Sequence, residues 1–497
     1  MPTNQIPTTE SFTPIDGGPH GRPEATLARG LGVGSIVFMV VAAAAPLTVA
    51  AAVTPIVFST SQSATAPLYF IAAAVILALF AVGFTRMSLR VPNAGAFYSY
   101  IAVGLGRIPG VGAATLSLFS YFILLVGVYT LLGAQTSNAL GIFFGIDTPW
   151  WLWSLLAWLF VAFLGYRDIE LSAKVLAVAL IAEALVVLIL NVAILIQGGE
   201  SGLSAAPFNP TGLFTDGAPL GLLFAILGFI GFEATAVFRN EARDPERTVP
   251  RATYIAVISI GVFYAFSAWC TAIGVGVDNA VSLADEDPDN MVLNLAVSFI
   301  APWFLTLMQT LVVTSILACA LAFHNVGTRY LFTLSGFQLL PAFLGRVSEK
   351  HRSPSAASLF LSALSVVVIL VFVPLGLDPV GEVYTWLSGT ASLGLVALMG
   401  LTSFATIVSF RRHRIDASPW VTVVAPLAAT AAFVAIAVIV LANFSSLVGS
   451  ITAAWILGPS LVLSYLVGVA LALIVRRRHG ERYRALVQEV TAREPVN

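Results

Sequence analysis

The sequence predicts an all-α integral membrane protein with twelve transmembrane helices. Three observations support this fold class: the apolar composition, the number of long apolar stretches and the one-sided placement of Lys and Arg. Of the 497 residues, 58% are hydrophobic and only 10% are charged, whereas a soluble domain carries roughly 25% charged residues. The chain is therefore suited to a lipid environment.

The apolar stretches are long enough to cross a bilayer, whose hydrocarbon core requires ~20 apolar residues per helix. Twelve stretches meet this length, at about 31–57, 66–87, 110–138, 149–165, 172–196, 219–239, 252–276, 300–332, 356–374, 381–410, 420–441 and 452–475. Residues 1–28 are polar and rich in proline. We interpret them as a disordered cytoplasmic tail and not as a signal peptide, because they lack a short apolar core followed by a cleavage site.

Basic residues predict the orientation. All 24 Lys and Arg lie in the two tails, in the gaps that follow even-numbered spans, or within the few span residues that border those gaps. The gaps after odd-numbered spans carry acidic residues instead, including Asp147, Asp216, Asp289 and Asp378. The positive-inside rule then places both termini in the cytoplasm of a multi-pass plasma membrane protein. Residues 477–497 form a second, basic cytoplasmic tail.

Spans 1 and 6 contain helix-breaking residues near their middle. Span 1 has Pro46, which lacks an amide proton and clashes with the preceding turn. Span 6 has Gly228 and Gly231, which tolerate non-helical dihedral angles. Five spans separate the two starts, so the two segments begin on opposite sides of the membrane, as an inverted five-helix repeat requires. Such paired interruptions indicate the midplane site of a transporter.

The broken helices predict a site for a small zwitterion. Free amides at the start of a half-helix attract a carboxylate, and free carbonyls at the end of another attract an ammonium group. The alternative is that Pro46 only kinks span 1 and that the glycines only permit close packing. The predicted substrate-binding residues are Ala43, Ala44, Ala45, Pro46, Leu47, Gly228, Phe229, Ile230, Gly231 and Phe232.

The stretch GFIGFEATAVFRNEARDPERTVPRA, residues 228–252, resembles the sixth-span signature of the amino acid–polyamine–organocation (APC) permeases. The stretches RVPNAGAFYSYIAVGLGR after span 2 and LLPAFLGRVSEKHRSP after span 8 are also similar to that family. The resemblance implies the LeuT-like fold, in which five plus five inverted helices are followed by two more. It also implies proton-coupled or exchange transport of amino acids or amines.

On this basis the transporter domain covers residues 29–476. Repeat one spans about 31–197, repeat two about 218–410, and helices 11 and 12 about 420–475. The chain departs from the family pattern at two places. The first break reads AAAAPLT where many members have a glycine-rich run, and Glu183 stands where several proton-coupled members carry a lysine.

Four residues inside spans are candidates for proton coupling or gating. A charge at the bilayer midplane costs at least ~2.5–3.5 kcal/mol, so each embedded carboxyl needs an explanation. Glu183 is either a proton carrier or a hydrogen-bonded structural acid. Glu233 either caps the restarting helix of span 6 or serves as a gate or proton site. His324 is a polar packing residue or a proton sensor, and Asn325 could bond a carbonyl of a broken helix.

The main interpretation is a secondary permease that moves an amino acid by alternating access, coupled to protons. The alternatives are a polyamine or organic amine permease, an exchanger, and a nutrient sensor that keeps the fold without transporting. Phe229 is predicted to cover the substrate or to pack in the core. Motifs of intramembrane enzymes, channel filter loops, metal-ligand clusters and nucleic-acid patches are not found. No cofactor is predicted, and the expected partners are the substrate, protons and lipid.

Overall fold

The computed structural model of the chain describes residues 32–89, 91, 96–167, 173–233, 235, 242–336, 339–348, 353–413 and 417–478. Within these ranges the protein is helical and contains no β-strand. The predicted N-terminal tail and residues 479–497 of the predicted C-terminal tail lie outside the described residues. Arg239 and Glu241 of the sixth-span motif also lie outside them.

The helices are numbered here in chain order. They are α1 (Val33–Ala43), α2 (Pro46–Ser61), α3 (Ala66–Ser88), α4 (Ala96–Leu105), α5 (Arg107–Phe144), α6 (Trp150–Arg167), α7 (Ala173–Gln197), α8 (Ala218–Leu227), α9 (Pro245–Val275), α10 (Ala280–Glu286), α11 (Met291–Phe299), α12 (Pro302–Gly336), α13 (Ser355–Phe372), α14 (Pro379–Arg412), α15 (Trp420–Ala442), α16 (Phe444–Val448) and α17 (Ile451–Arg478).

The membrane character predicted from composition is confirmed. In the described ranges, ten helices are long and apolar enough to cross a bilayer, namely α3, α5, α6, α7, α9, α12, α13, α14, α15 and α17. Helices α1 and α2 meet the same length and composition criteria only as a pair, which is bent by 41° at the break between them. Helix α8 is apolar but only 10 residues long, and the chain after it soon passes outside the described residues. The count of twelve spans stays a prediction.

Proline and glycine set several helix ends. Helices α2, α3, α8 and α9 carry proline in their first turn, where its missing amide proton costs no hydrogen bond. Helix α5 ends at Gly145, whose φ of 66° lies in the left-handed region and whose amide donates to the carbonyl of Gly141. These residues therefore end one helix or begin the next.

Helix α5 lies at the centre of the bundle, against α4, α6, α12, α14 and α17. Its contact with α17 depends on glycine. A Cβ atom at Gly468 would lie 2.6 Å from the carbonyl oxygen of Val111 and 2.8 Å from the Cα of Gly112. Small residues allow helix backbones to approach this closely inside a membrane, where lipid removes the hydrophobic drive between helices.

Two faces of the bundle differ in charge. The basic face carries Arg86, Arg107, Arg167 and Arg411 at helix ends and Arg329 about two turns before the end of α12. The opposite ends and loops form the acidic face, with Asp147, Asp216, Asp285, Asp289 and Asp378. Helix α2 packs against α8, and α1 packs against α9. This packing brings the interrupted part of span 1 next to the interrupted part of span 6.

Candidate functional site

Span 1 is interrupted at Ala44 and Ala45. Ala45 has a φ of 46°, in the left-handed region that alanine rarely adopts, and Pro46 begins α2. No side chain caps α2, and the amides of a helix's first turn have no acceptor within the helix. On the other side of the break, the carbonyl of Ala44 accepts a hydrogen bond of 2.9 Å from the Tyr264 hydroxyl. The break therefore offers polar backbone groups in the interior of the bundle.

Span 6 is interrupted directly after α8. The amides of Phe229 and Ile230 donate to carbonyls only three residues earlier, at 3.0 Å each. Gly231 has a φ of 113°, which only glycine adopts without strain. Its amide donates to the Glu233 carboxylate at 2.9 Å. Glu233 thus reaches back to the break through a hydrogen bond from the Gly231 amide.

The two breaks lie against each other. A Cβ atom at Gly228 would lie 3.0 Å from Cγ1 of Val49 in α2 and 3.3 Å from the Tyr264 ring. The Phe229 ring meets Tyr264 edge-on, with ring centroids 5.7 Å apart. Tyr264 therefore contacts both breaks, through its hydroxyl at span 1 and through its ring at span 6.

Glu183 on α7 is connected to span 1 by two hydroxyl groups. The Ser315 hydroxyl on α12 donates to Glu183 at 2.8 Å, and the Thr48 hydroxyl on α2 donates to Ser315 at 2.9 Å. All three residues are buried. Tyr264 and Cys319 also lie near enough to interact with the charge of Glu183. One embedded carboxyl group is thus hydrogen-bonded, through neutral donors, to the helix that restarts at Pro46.

Glu233 has a second partner besides Gly231. The Tyr121 hydroxyl on α5 donates to Glu233 at 2.5 Å. The Tyr121 ring lies 5.8 Å from that of Tyr330 and 6.2 Å from that of Phe323, both on α12. Through Glu233 and Tyr121, the break in span 6 is therefore connected to aromatic side chains of α5 and α12.

The other predicted substrate-binding residues are buried around the breaks. Leu47 is fully buried, and Ala44, Ala45, Pro46 and Ile230 are nearly so. Phe232 turns its ring toward Phe80 and Phe84 of α3 and packs in the core. The backbone of Ala43 ends α1, and its side chain lies outside the described part of the structure.

His324 and Asn325 are not brought to the breaks. His324 is fully buried, and its Nε2 lies 2.9 Å from the Ser358 hydroxyl of α13. A Cβ atom at Gly165 of α6 would lie 2.5 Å from the His324 ring. Nine residues separate His324 from Ser315 on one helix, which is ~14 Å along the axis and about half a turn around it. Asn325, the next residue, is half-buried.

Three residues that the sequence analysis did not select contribute to the site: Thr48, Ser315 and Tyr264. Each is a hydroxyl group within an apolar span. Such groups commonly bond the carbonyl one turn earlier in their own helix, so their presence in a single sequence does not indicate a partner. The only local signal was the position of Thr48, two residues after Pro46.

A cavity of about 560 Å³ lies at the acidic face. Its lining includes Ser59 and Gln62 at the end of α2, Asp285 on α10, and Glu382 and Trp386 at the start of α14. None of the residues at the two breaks lines it. In the described part of the chain, no group of three or more His, Cys, Asp or Glu side chains could hold a metal ion.

Comparisons with known proteins agree with this architecture. The family model described as amino acid permease matches residues 31–474. The branched-chain amino acid permease BcaP of Bacillus subtilis is 24% identical over 355 residues, which are 68% of this chain and 72% of the relative. BcaP of Lactococcus lactis is 26% identical over 372 residues, covering 69% and 74%. The low-affinity putrescine importer PlaP of Escherichia coli K12 is 22% identical over 311 residues, covering 59% and 65%.

The family match extends over nearly the whole helical bundle, including both breaks and every partner of Glu183 and Glu233. The relatives are carriers of amino acids or polyamines. The chain therefore belongs to the amino acid permease family of the APC superfamily, and it is a multi-pass membrane transporter and not an enzyme.

Proposed function

We propose that this protein is a secondary active permease that carries an amino acid across the plasma membrane by alternating access and is coupled to protons. The observation that carries the proposal is the hydrogen-bonded chain from Thr48 through Ser315 to Glu183. It connects a group that can take up a proton to the interrupted helix. A proton bound at Glu183 could thereby change the conformation of span 1.

We propose the LeuT-like arrangement for the whole bundle: twelve helices in a five-plus-five inverted repeat, with two more at the end. Support comes from the two interruptions, which lie in contact although they belong to spans five apart. The first half begins at the basic face and the second half at the acidic face, so the basic face would be cytoplasmic. Repeat boundaries near 31–197 and 218–410 follow from this arrangement.

The two breaks suit the two charged ends of an amino acid. The uncapped start of α2 after Ala45 would bind the carboxylate through the amides of its first turn. The carbonyl end of α8 would bind the ammonium group, because a helix C-terminus is partially negative. Opening a space between Val49 and Gly228, which now touch, would admit the substrate.

An amino acid fits this structure better than a diamine. Glu183 and Glu233 are the buried carboxylates of the described membrane helices, and both accept hydrogen bonds from the protein. A second ammonium group would have to share one of these carboxylates with its present donors. Because a putrescine importer is among the relatives, a polyamine permease or an exchanger is the second candidate function.

Proton coupling follows from the chemistry of Glu183. An ionised carboxylate only accepts hydrogen bonds, whereas a protonated one can also donate. Protonation would therefore weaken the charge-assisted bond from Ser315 and allow the direction of the Thr48–Ser315 chain to reverse. A rearrangement at Thr48 acts directly on the first turn of α2, where the substrate carboxylate would bind.

Thermal stabilisation of the purified protein tests the substrate class, because a ligand that binds the folded state raises the melting temperature. The panel contains leucine, valine, γ-aminobutyrate, arginine and putrescine. We expect a neutral amino acid to stabilise the protein and putrescine to have no effect. Stabilisation by diamines alone would support the second candidate.

Proteoliposomes with an imposed pH gradient then test transport, and a ligand that binds to the protein but is not taken up would identify a sensor.

The native cysteines test the location of the site. Cys319 lies one turn after Ser315 on α12 and is half-buried, whereas Cys270 on α9 is buried. In the Cys270→Ala protein, we expect the stabilising ligand to slow alkylation of Cys319, measured by mass spectrometry. If the ligand slows alkylation of Cys270 in the Cys319→Ala protein to the same degree, it stabilises the whole bundle and the protection of Cys319 does not locate the site.

A further inference from the structure

Helix α2 is not regular along its whole length. Residues Val49–Val53 form a π-helical turn, called the π-turn here, shortly after the helix begins at Pro46. The Val49 carbonyl accepts a hydrogen bond from the Thr54 amide, five residues later, and a second one of 3.0 Å from the Thr54 hydroxyl. An α-helix would pair this carbonyl with the amide four residues later. The π-turn therefore holds one residue more than an α-helical turn.

Pro55 explains why this turn is wide. Proline has no amide proton, and inside a helix its ring clashes with the carbonyl four residues earlier, which here belongs to Ala51. A wide turn directly before the proline moves that carbonyl away from the ring. Helix α15 repeats the pattern, because its own π-helical turn, Trp420–Val424, is followed at the same spacing by Pro426. The same local cause thus acts at two separate places in the chain.

Both ends of α2 are attached to other helices. At its start, the Thr48 hydroxyl donates to Ser315 of α12 at 2.9 Å. At its end, the Ser61 carbonyl accepts a hydrogen bond of 2.7 Å from the Thr215 hydroxyl, just before α8. A Cβ atom at Gly221 of α8 would lie 2.5 Å from Cβ of Ser61. The π-turn lies between these attachments and sets the rotation of one end of α2 relative to the other.

The π-turn also faces the break in span 6. All five of its residues are buried, and they pack against α9 and α11. A Cβ atom at Gly228 would lie 3.0 Å from Cγ1 of Val49. The rotation of this turn therefore decides whether Thr48 meets Ser315 and whether Val49 fills the space beside Gly228.

A change from π-helix to α-helix would rotate the first turn of α2. An α-helix turns by about 100° and rises ~1.5 Å per residue. If the π-turn became α-helical while the end of α2 stayed in place, Thr48 would turn by about 100° and its Cα atom would move by roughly 4 Å. Thr48 would then face away from Ser315, and Val49 would leave Gly228. The break before α2 permits this movement, because α1 need not turn with it.

We propose that Pro55 is a positioning residue of the transport site: it holds the first turn of α2 in the closed register, with a π-turn, and the site opens when this turn becomes α-helical. The inference deepens the proposed function and rests on it for the identity of the site. Because Pro55 disfavours the α-helical register, the closed register is the resting one. The bond from Thr48 to Ser315, which protonation of Glu183 would weaken, is one of the attachments that oppose opening.

Disulfide cross-linking reports the register without a ligand. The full chain carries Thr48→Cys and Ser315→Cys, and the native Cys270 and Cys319 are changed to alanine. A disulfide forms only where the two Cα atoms lie within about 7 Å. The native hydroxyl groups are 2.9 Å apart in the closed register, so mild oxidation in nanodiscs should cross-link this parent pair. Mass spectrometry at successive times gives the rate.

Pro55→Ala should slow the cross-linking. It removes the penalty of proline inside an α-helix, which corresponds to a shift of roughly 100-fold toward the α-helical register, so the rate should fall at least about threefold. Pro426→Ala, which removes the proline after the other π-helical turn, should leave the rate at that of the parent. A parent pair that does not cross-link, an unchanged rate for Pro55→Ala or an equal fall for Pro426→Ala would overturn the proposal.

A deletion distinguishes a change of register from a loss of packing. Residues Ala50–Ala52 are consecutive alanines, so removing any one of them gives the same protein. In an α-helix, one residue fewer turns Thr48 back by about 100° and returns it to Ser315. Deletion of Ala51 from the Pro55→Ala protein should therefore restore the parent rate, whereas a packing defect would become worse. A double variant that cross-links slowly or does not fold would show that Pro55 does not set the register.

The result is independent of the transport assays, because cross-linking uses neither substrate nor a pH gradient. Absence of uptake together with the expected cross-linking rates would contradict the permease and leave the register assignment intact. Driven uptake together with a Pro55→Ala protein that cross-links like the parent would contradict the register assignment alone.

Discussion

At the scale of single residues, the two embedded glutamates are stabilised by neutral donors. Glu183 has the Ser315 hydroxyl, and Glu233 has the Tyr121 hydroxyl and the Gly231 amide. A buried charge without a partner is costly, and a cation would fix each acid in its ionised form. Neutral donors satisfy an acid without fixing its charge, which is what the proposed proton coupling requires.

Replacing Glu183 by glutamine should separate binding from coupling. Glutamine keeps an acceptor for Ser315 but cannot carry a proton, so ligand-induced stabilisation should remain while uptake driven by a pH gradient falls to the level of protein-free liposomes. Uptake is measured in proteoliposomes beside a Glu200→Gln control on an exposed loop. Driven uptake equal to that of the control would exclude Glu183 as the coupling group.

Replacing Glu233 by alanine should destabilise the protein. The change leaves the Gly231 amide and the Tyr121 hydroxyl without their observed partner, and an unsatisfied buried polar group costs roughly 1–3 kcal/mol. Glu233→Gln keeps one acceptor oxygen, and Tyr121→Phe removes only one bond, so both should cost less. Thermal melting of the four proteins in one detergent gives the order. Equal melting temperatures for the parent and Glu233→Ala would contradict the capping role.

At the scale of elements, Pro46 marks the interruption of span 1 as the first residue of a new helix. The sequence indicated that Pro46 would disrupt a helix by removing a hydrogen bond from its interior. The structure instead places Pro46 in the first turn of a new helix, where its missing amide proton costs nothing. The cost of the break falls on Ala45, which must adopt a left-handed conformation. A glycine would have met this requirement without strain.

Replacing Ala45 by glycine should therefore stabilise the fold slightly. Glycine removes roughly 1–2 kcal/mol of strain from the left-handed conformation of the folded state. Its greater conformational freedom in the unfolded chain destabilises the folded state by roughly 0.5–1 kcal/mol. The control is Ala78→Gly, within the regular α-helix α3, which should lower stability by roughly 0.5–1 kcal/mol. Both are compared with the parent by thermal melting. A melting temperature below the parent for Ala45→Gly would mean that Ala45 is not left-handed in the membrane.

At the scale of the whole molecule, charge is separated across the bundle. Arginines at the ends of α3, α5, α6, α12 and α14 mark one face, and aspartates in the loops mark the other. The 560 Å³ cavity and Asp289 both lie on the acidic face.

Reporter fusions should establish the orientation that this separation predicts. A fluorescent protein attached after residue 497 should fluoresce, because the C-terminus is expected in the cytoplasm. Alkaline phosphatase inserted in the loop between α7 and α8, after Gly202, should be active, since that enzyme requires the outer compartment. The opposite pair of results would place the basic face outside.

The sequence by itself determined the membrane class, the approximate spans and the positions of the two interruptions. These features depend on local composition and on the conformational limits of proline and glycine, which a single chain displays directly. It also identified Glu183 and Glu233 as groups that require partners, because an embedded carboxyl group is costly in any fold.

Only the tertiary structure decided which groups meet. Thr48 and Ser315 are 267 residues apart in the chain, and Ser315 and Glu183 are 132 apart. Their contact depends on how three helices are rotated and packed, which their own residues do not reveal. The same rotation turns His324 away from Ser315 on α12, toward α6 and α13. Helix formation is a local property, but the composition of a buried site depends on side chains that distant helices bring together.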